Sequence, residues 1–164
     1  MLEYGTRGHA AALVEELEKL YPQAKCALEY EGEDWKLLVM ARLSAQCTDK
    51  RVNEVCKGLF EKYRSPHELA EAELSDVEDI VRPCGLYHVK ARDIIGEARL
   101  LTEEYDGKLP DRMEELLRFP GVGRKVANLL LGDLFGKPAV VVDTHCIRLS
   151  GRLGLVPESE PSRK

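Results

Sequence analysis

Residues 119–125 read Phe-Pro-Gly-Val-Gly-Arg-Lys and lead into a largely apolar run, Val-Ala-Asn-Leu-Leu-Leu, at 126–131. Two glycines around one apolar residue let a backbone turn tightly and bring its N–H groups close to a ligand, because no Cβ blocks the approach. The apolar run suits a mostly buried helix, so we expect Lys125 in the first turn of that helix. A helix N-terminus attracts phosphate and favours the neutral, nucleophilic form of a nearby lysine. Residues 119–125, called the hairpin below, therefore predict a phosphate-binding turn that presents a lysine.

Asp143 stands eighteen positions after Lys125 and follows the run Val-Val-Val at 140–142. Its simplest interpretation is the N-cap of a helix that starts at Thr144, with the carboxylate accepting a backbone N–H. The same carboxylate is a candidate partner for a nucleophilic lysine. Neither residue alone decides between structure and chemistry, since glycine turns join many helix pairs and a first-turn lysine is usually a solvated surface residue.

Four motifs, in the same order, resemble those of one enzyme family. They are Leu-Ser-Ala-Gln-Cys-Thr-Asp at 43–49, Gly-Leu-Tyr at 85–87 with Lys-Ala at 90–91, the stretch 120–128, and the segment 142–148, which begins Val-Asp-Thr-His. The match runs from about residue 37 to residue 153, most of the chain. The sequence thus resembles endonuclease III, a bifunctional DNA glycosylase of the helix-hairpin-helix superfamily.

The resemblance implies a role for each of these segments. Lys125 would be the nucleophile that forms a Schiff base, and Asp143 its carboxylate partner. Gln46 and Leu86 would be pushed into the duplex; without the resemblance they would be a helix-end cap and a core residue. His145 would either assist the chemistry or only line the site. The other expected DNA contacts are Pro120, Gly121, Val122, Gly123 and Arg124, and the implied partner is damaged double-stranded DNA.

Net charge opposes DNA binding at first sight, because 24 basic against 29 acidic residues give −5. The distribution favours it. Residues 116–157 hold six basic and two acidic side chains, a local charge of +4, so the rest of the chain carries −9. A basic segment around the hairpin suits local phosphate contacts, although a chance cluster would give the same count.

The resembled family normally carries a [4Fe-4S] cluster, held by four cysteines spaced C-x6-C-x2-C-x5-C near its C-terminus. The five cysteines here, at 26, 47, 56, 84 and 146, are dispersed without a C-x-x-C pair, so we predict no metal ligands in residues 1–164. We expect a chain truncated before the cluster, ending in a Ser-Glu-Pro turn at 159–161. Such a chain would be colourless and less stable and less active than a longer version. A naturally cluster-free relative is the alternative.

Composition indicates a globular protein of a reducing compartment. Hydrophobic residues make up 44% of 164, enough for one good core or two small ones. No apolar run approaches the roughly 20 residues that span a bilayer, and the start lacks a basic-then-apolar signal. We expect a cytoplasmic monomer, associated with the nucleoid if bacterial, whose dispersed cysteines are free thiols.

Helical periodicity dominates, and the predicted fold class is all-α. Helices are expected at 9–20, from a cap at Asp34 to 43, from Thr48, from capping boxes at 65–68 and 75–78, at 89–105, at 111–118 and around the two motif segments. The run 139–142 is expected as extended chain. The resemblance implies a helix-hairpin-helix glycosylase fold of two helical domains with the active cleft between them. The predicted division is an N-terminal helix at 1–26, a helical domain at 27–136, and the start of an incomplete C-terminal domain at 137–164.

Two other function classes stay open at this stage. A helix-hairpin-helix binding module would keep the glycines but has no need for a lysine and a carboxylate. A monofunctional mismatch glycosylase would keep the carboxylate and lack the lysine. Lys125 therefore favours combined glycosylase and AP lyase activity. Oxidised pyrimidines as substrates are implied only by the resemblance.

Overall fold

The computed structural model describes residues 5–156, and within them the fold is all-α, as predicted. No strand occurs in this range, and residues 139–142 belong to no helix or strand. A short 3-10 helix, Arg82–Cys84, precedes the longest α-helix. The α-helices are α1 Arg7–Leu20, α2 Asp34–Leu43, α3 Asp49–Lys62, α4 Pro66–Ala70, α5 Leu74–Val81, α6 Tyr87–Tyr105, α7 Met113–Leu116, α8 Arg124–Phe135 and α9 Thr144–Arg152.

Side-chain caps set several helix starts where the sequence predicts them. The Thr48 side chain accepts from the Arg51 N–H, and the Ser65 side chain accepts from the Glu68 N–H with Pro66 at the first helical position. Asp34 is the first residue of α2 rather than its cap, because Glu33 occupies the cap position. These local signals depend on residues adjacent in sequence, which explains why sequence reasoning finds them.

Several predicted helix limits are wrong, and α1 starts at Arg7 rather than at His9. The box at 75–78 does not start α5, because the Glu73 carbonyl already accepts from the N–H groups of Asp76 and Val77 at 3.1 and 3.2 Å. The helix expected at 111–118 shrinks to α7, with a bend at 111–112 before it and a turn at 117–118 after it. α6 begins two residues before the predicted start, since the Leu86 carbonyl accepts from Val89 and Lys90. The predicted Ser-Glu-Pro turn lies outside the described residues.

The core forms around α2, which is buried on nearly every side, as its apolar sequence predicts. α6 packs against α2, α4 and α5, and α8 packs against α2 and α7. Trp35 on α2 meets Phe60 on α3 edge to face, with centroids 5.1 Å apart. The hairpin and the end of α2 are therefore attached to this packed helical core.

The chain divides into two compact units. One is Cys26–Val140, which contains α2 to α8 and the whole buried core. The other joins Met1–Lys25 to Val141–Lys164, and its helices α1 and α9 contain no buried residue. The predicted assignment of 1–26, 27–136 and 137–164 to separate roles remains a prediction. Within residues 5–156, every helix is too short or too polar to cross a membrane.

Candidate functional site

The hairpin joins α7 to α8 and is anchored to the core by its two larger apolar residues. Phe119 and Val122 are buried, whereas Gly121, Gly123 and Arg124 are exposed. The Phe119 ring stacks on Tyr105 with 5.4 Å between centroids. The Val122 N–H donates to the Phe119 carbonyl at 3.1 Å, which closes the turn. The buried side chains of Phe119 and Val122 therefore hold the hairpin in place, and its glycines are exposed to solvent.

The two hairpin glycines have different structural roles. Gly121 has φ +72°, and a Cβ there would collide with the Arg42 guanidinium group. Arg42 Nε donates to Asp93 Oδ2 at 2.6 Å, so this ion pair fills the space under the turn. Gly123 is extended, and a Cβ there would meet nothing within 4 Å. Only Gly121 needs to be glycine for its conformation; Gly123 leaves the backbone open to approach.

Lys125 lies in the first turn of α8, as predicted, and its side chain is exposed. The N-cap of α8 is Gly123, which has no side chain, so no side-chain oxygen caps the first N–H groups of the helix. α8 is held at its far end, where Tyr30 Oη donates to Asp133 Oδ2 at 2.7 Å. The Asp133 carboxylate raises the pKa of Tyr30 to about 12. The helix start thus remains open to an anion while the helix itself is fixed.

Ion pairs neutralise part of the positive charge of the basic segment at 116–157. Arg118 pairs with Glu104, and Lys137 pairs with Asp111 at 2.7 Å. Arg124 and Lys125 form no ion pair with any residue of the described range 5–156. Within the Cys26–Val140 unit, the unpaired positive charge of this segment therefore lies at Arg124 and Lys125.

Gln46 and Leu86 are both exposed and both have left-handed backbone. Gln46 follows the end of α2 with φ 55°, and Leu86 is the N-cap of α6 with φ 50° and 59% exposure. The alternative interpretation of Leu86 as a core residue is therefore wrong. A left-handed conformation costs a non-glycine residue about 1 kcal/mol or more. An apolar side chain held in solvent at such a cost is a candidate for contact with a ligand.

Sequence reasoning missed two fully buried charged residues on α6. Lys90 Nζ donates to the carbonyls of Leu43 and Cys84, each at 2.8 Å. Glu97 has no hydrogen-bond partner for either carboxyl oxygen among the described residues, and burial raises its pKa well above the ordinary range. A signal was present in the sequence: both share one helical face with the buried Ile94 and Leu101.

Asp143 and His145 belong to the other unit. Asp143 is the N-cap of α9, and its Oδ1 accepts from the Cys146 N–H at 2.7 Å, which confirms the predicted cap. His145 is exposed, with Nδ1 3.3 Å from the Arg148 guanidinium. The geometry of the cap fixes the orientation of the Asp143 carboxylate.

The cysteines of this chain do not fit an iron–sulfur cluster. All five are free thiols, and among the described residues no group of three or more His, Cys, Asp or Glu side chains could hold a metal ion. Cluster ligands must be thiolates. Burial raises the pKa of Cys56 far above its ordinary value and that of Cys84 to about 11, which disfavours the thiolate at both.

A depression of about 320 Å³ opens between the segment before α2 and helix α3. Glu29, Lys36, Asn53 and Phe60 form part of its wall. None of the sequence-predicted site residues lines it. This depression and the sequence-predicted site residues of the Cys26–Val140 unit therefore lie in different places.

Comparisons with known proteins agree with the hairpin and the motif order. Residues 39–164 match the HhH-GPD superfamily base excision DNA repair protein family. Endonuclease III of Synechocystis sp. is 48% identical over 148 residues, covering 90% of this chain and 67% of that protein. The chain thus spans about two thirds of that relative's length.

Two solved structures share the fold of nearly the whole chain. One is a non-covalent endonuclease III–DNA complex, 42% identical with a TM-score of 0.87, covering 98% of this chain and 73% of that one. The other is a trapped endonuclease III–DNA covalent intermediate, 42% identical with a TM-score of 0.86, covering 98% and 74%. The chain belongs to the HhH-GPD superfamily of base excision DNA repair proteins and, within it, to the endonuclease III family.

Proposed function

We propose that this protein removes oxidised pyrimidines from duplex DNA and then nicks the strand, with Lys125 as its nucleophile. Membership of the endonuclease III family gives the enzyme class, DNA glycosylase and AP lyase. The observation that carries the residue assignment is an exposed primary amine in the first turn of α8, at the last residue of the hairpin. A phosphate bound at that helix start brings the adjoining sugar towards the amine.

The chemistry requires a neutral amine and a leaving base. Lys125 Nζ attacks C1′ of the damaged nucleotide, the bond from C1′ to the base breaks, and the base leaves with a proton. The ring opens to a protonated imine, which acidifies the C2′ hydrogen. Loss of that hydrogen breaks the C3′–O bond and nicks the strand, and water then releases the lysine. Asp143 takes up the proton that the attacking nitrogen of Lys125 loses, passes it to the departing base, and stabilises the cationic sugar.

Gln46 and Leu86 fill the space that the extruded nucleotide leaves. Swinging a base out of a duplex costs a few kcal/mol, which damage reduces. An exposed leucine held by its backbone at the start of α6 suits a wedge, and an exposed amide suits contact with the unpaired partner base. Leu86→Ala should therefore weaken extrusion more than initial duplex binding, as read from a fluorescent base analogue at the lesion. Equal extrusion by both proteins would remove Leu86 from this role.

Borohydride trapping tests the nucleophile. Lys125→Arg keeps the positive charge and should still bind an abasic duplex, but it should form no reduced covalent adduct. Arg124→Gln is the matched control because it lies beside Lys125 in the same exposed turn. It should still trap, while the salt dependence of its binding falls by about one unit of slope. Undiminished trapping by Lys125→Arg would overturn the assignment.

Asp143→Asn separates chemistry from capping. Asparagine caps helices about as well as aspartate, so folding should be retained. Loss of the carboxylate should slow single-turnover base release by about 10²-fold or more. Full activity with an unchanged melting temperature would leave Asp143 with only its role at the start of α9. Base release without nicking in the unaltered protein would instead favour the monofunctional alternative. Single turnovers on duplexes with different lesions would test the oxidised-pyrimidine preference.

A further inference from the structure

Lys90 is a lysine without a counter-ion in the middle of the core. It is fully buried, and no carboxylate of the described residues forms an ion pair with it. Burial lowers its pKa, and the nearby Arg42 charge acts in the same direction. Removing an ammonium group from water is costly, and an apolar residue of similar size would avoid that cost. Its two hydrogen bonds therefore need a reason beyond packing.

Both acceptors of Lys90 are backbone carbonyls next to the residues proposed to enter the duplex. The Leu43 carbonyl ends α2, three positions before Gln46. The Cys84 carbonyl ends the 3-10 helix, two positions before Leu86. Carbonyls at helix ends lack intrahelical partners and attract positive charge. One ammonium group therefore joins two chain segments that are far apart in sequence. It binds each segment shortly before the residue that projects from it.

A second contact lies between the same two segments. The Cys47 thiol is close enough to the Cys84 thiol to add to the rise in the pKa of Cys84 that burial causes. Gln46 and Leu86 each have a left-handed backbone that is unfavourable on its own. Such conformations persist only where surrounding contacts hold them. Lys90 and the thiol pair supply these contacts from beneath.

We propose that Lys90 is a positioning residue that fixes the separation of Gln46 and Leu86, so that both side chains enter the duplex together. This rests on the gap-filling roles proposed above. Lys90 touches neither DNA nor the reacting atoms. Its effect is confined to steps that require an extruded base, because the hairpin and Lys125 have their own supports in Phe119, Tyr105 and α8.

The test compares one substrate that needs extrusion with one that does not. Lys90→Met removes both donors while keeping an unbranched apolar chain. Single-turnover base release from an oxidised pyrimidine in a duplex should fall by at least about tenfold, since small misplacements of positioning groups have effects of this size or larger. Borohydride trapping on an abasic site in a single strand should change less than about twofold. The ratio of the two rates is the readout.

Leu101→Ala provides the matched control, because Leu101 is buried on the same helix but contacts neither segment end through a hydrogen bond. It should reduce stability and leave the rate ratio unchanged. If Lys90→Met does not fold, Lys90→Gln carries the test, since its shorter amide can still donate to one carbonyl. Its ratio should fall by about threefold or more. An unchanged ratio in whichever variant folds would overturn the proposal.

A double variant separates this proposal from the one it rests on. If Lys90 acts through Leu86, the effects of Lys90→Met and Leu86→Ala on extrusion will be non-additive. Additive effects would mean that Lys90 does not act through the wedge, which overturns the positioning role. If instead Leu86→Ala and Gln46→Ala leave extrusion unchanged, the gap-filling roles fail and the positioning role fails with them. If only the Lys90→Met result contradicts expectation, with an unchanged rate ratio, the positioning role fails and the gap-filling roles remain.

Discussion

Left-handed backbone occurs both in the hairpin and at Gln46 and Leu86, but it exposes different parts of the chain in the two places. In the hairpin that conformation falls on Gly121, where any side chain would collide with Arg42. At Gln46 and Leu86 it falls on residues whose side chains project into solvent. The hairpin presents its backbone, so the side chain is removed. The other two segments present side chains, so the unfavourable backbone is retained and held from below.

The support beneath each region also differs. Under Gln46 and Leu86 lies Lys90 of α6, whose ammonium group has two carbonyl acceptors. Under the hairpin lies the ion pair between Arg42 of α2 and Asp93 of α6, and one turn further along α6 is the buried Glu97, whose carboxyl oxygens have no partner among the described residues. The two buried charged residues are seven positions apart on one helix. The first forms hydrogen bonds to two chain segments, and we expect the second to lower stability, because its buried carboxyl group has no hydrogen-bond partner among the described residues.

Gly121→Ala gives the largest expected effect on this comparison. The new Cβ would require a left-handed alanine and would displace Arg42 from Asp93, so unfolding should become easier by about 2 kcal/mol or more. Gly123→Ala is the control, because its backbone is extended and its surroundings are empty. That variant should change stability by less than about 1 kcal/mol. Urea denaturation of both measures the contrast, and equal losses would show that Arg42 yields easily.

Glu97→Met should stabilise the protein. Burying a polar group without a hydrogen bond costs about 1–3 kcal/mol, and methionine fills a similar volume with apolar atoms. The free energy of unfolding near neutral pH should rise by an amount in that range. Glu97→Gln should not give the same gain, since its amide is equally short of partners. A loss of stability on Glu97→Met would mean that the carboxyl group forms bonds that stabilise the fold.

The advantage of Glu97→Met should grow with pH. The folded state holds the Glu97 proton above the ordinary pKa of 4.5, whereas the unfolded state releases it there. The unfolded state then binds fewer protons, so wild-type stability falls as pH rises above that value, by at most about 1.4 kcal/mol per unit. Below it both states are protonated and the difference is constant. Subtracting the variant's urea curves from the wild type's at several pH values isolates this group. A difference independent of pH would show that Glu97 is ionised in the fold.

Sequence reasoning finds the exposed parts of the candidate site and misses what lies beneath them. The hairpin, the first-turn Lys125 and the Asp143 cap depend on neighbours in sequence, and the structure places all three elements as predicted. The bond from Lys90 to Leu43 joins residues 47 positions apart, and no local pattern encodes it. The left-handed conformations of Gln46 and Leu86 are also not predicted from the sequence, because local propensity disfavours them.

Leu86→Gly against Leu86→Ala is the smallest expected effect and tests the strain directly. Both substitutions remove the proposed wedge, so both should lose base extrusion to the same extent. Glycine adopts φ near +50° freely, whereas alanine pays the same steric cost as leucine there. Leu86→Gly should therefore be more stable than Leu86→Ala by about 1 kcal/mol, although glycine usually destabilises a protein relative to alanine. Thermal and urea unfolding of the two variants would measure the difference. If the alanine variant proved the more stable, the backbone at residue 86 would relax once leucine is removed. The left-handed turn would then depend on the leucine side chain, and support from below would be insufficient to maintain it.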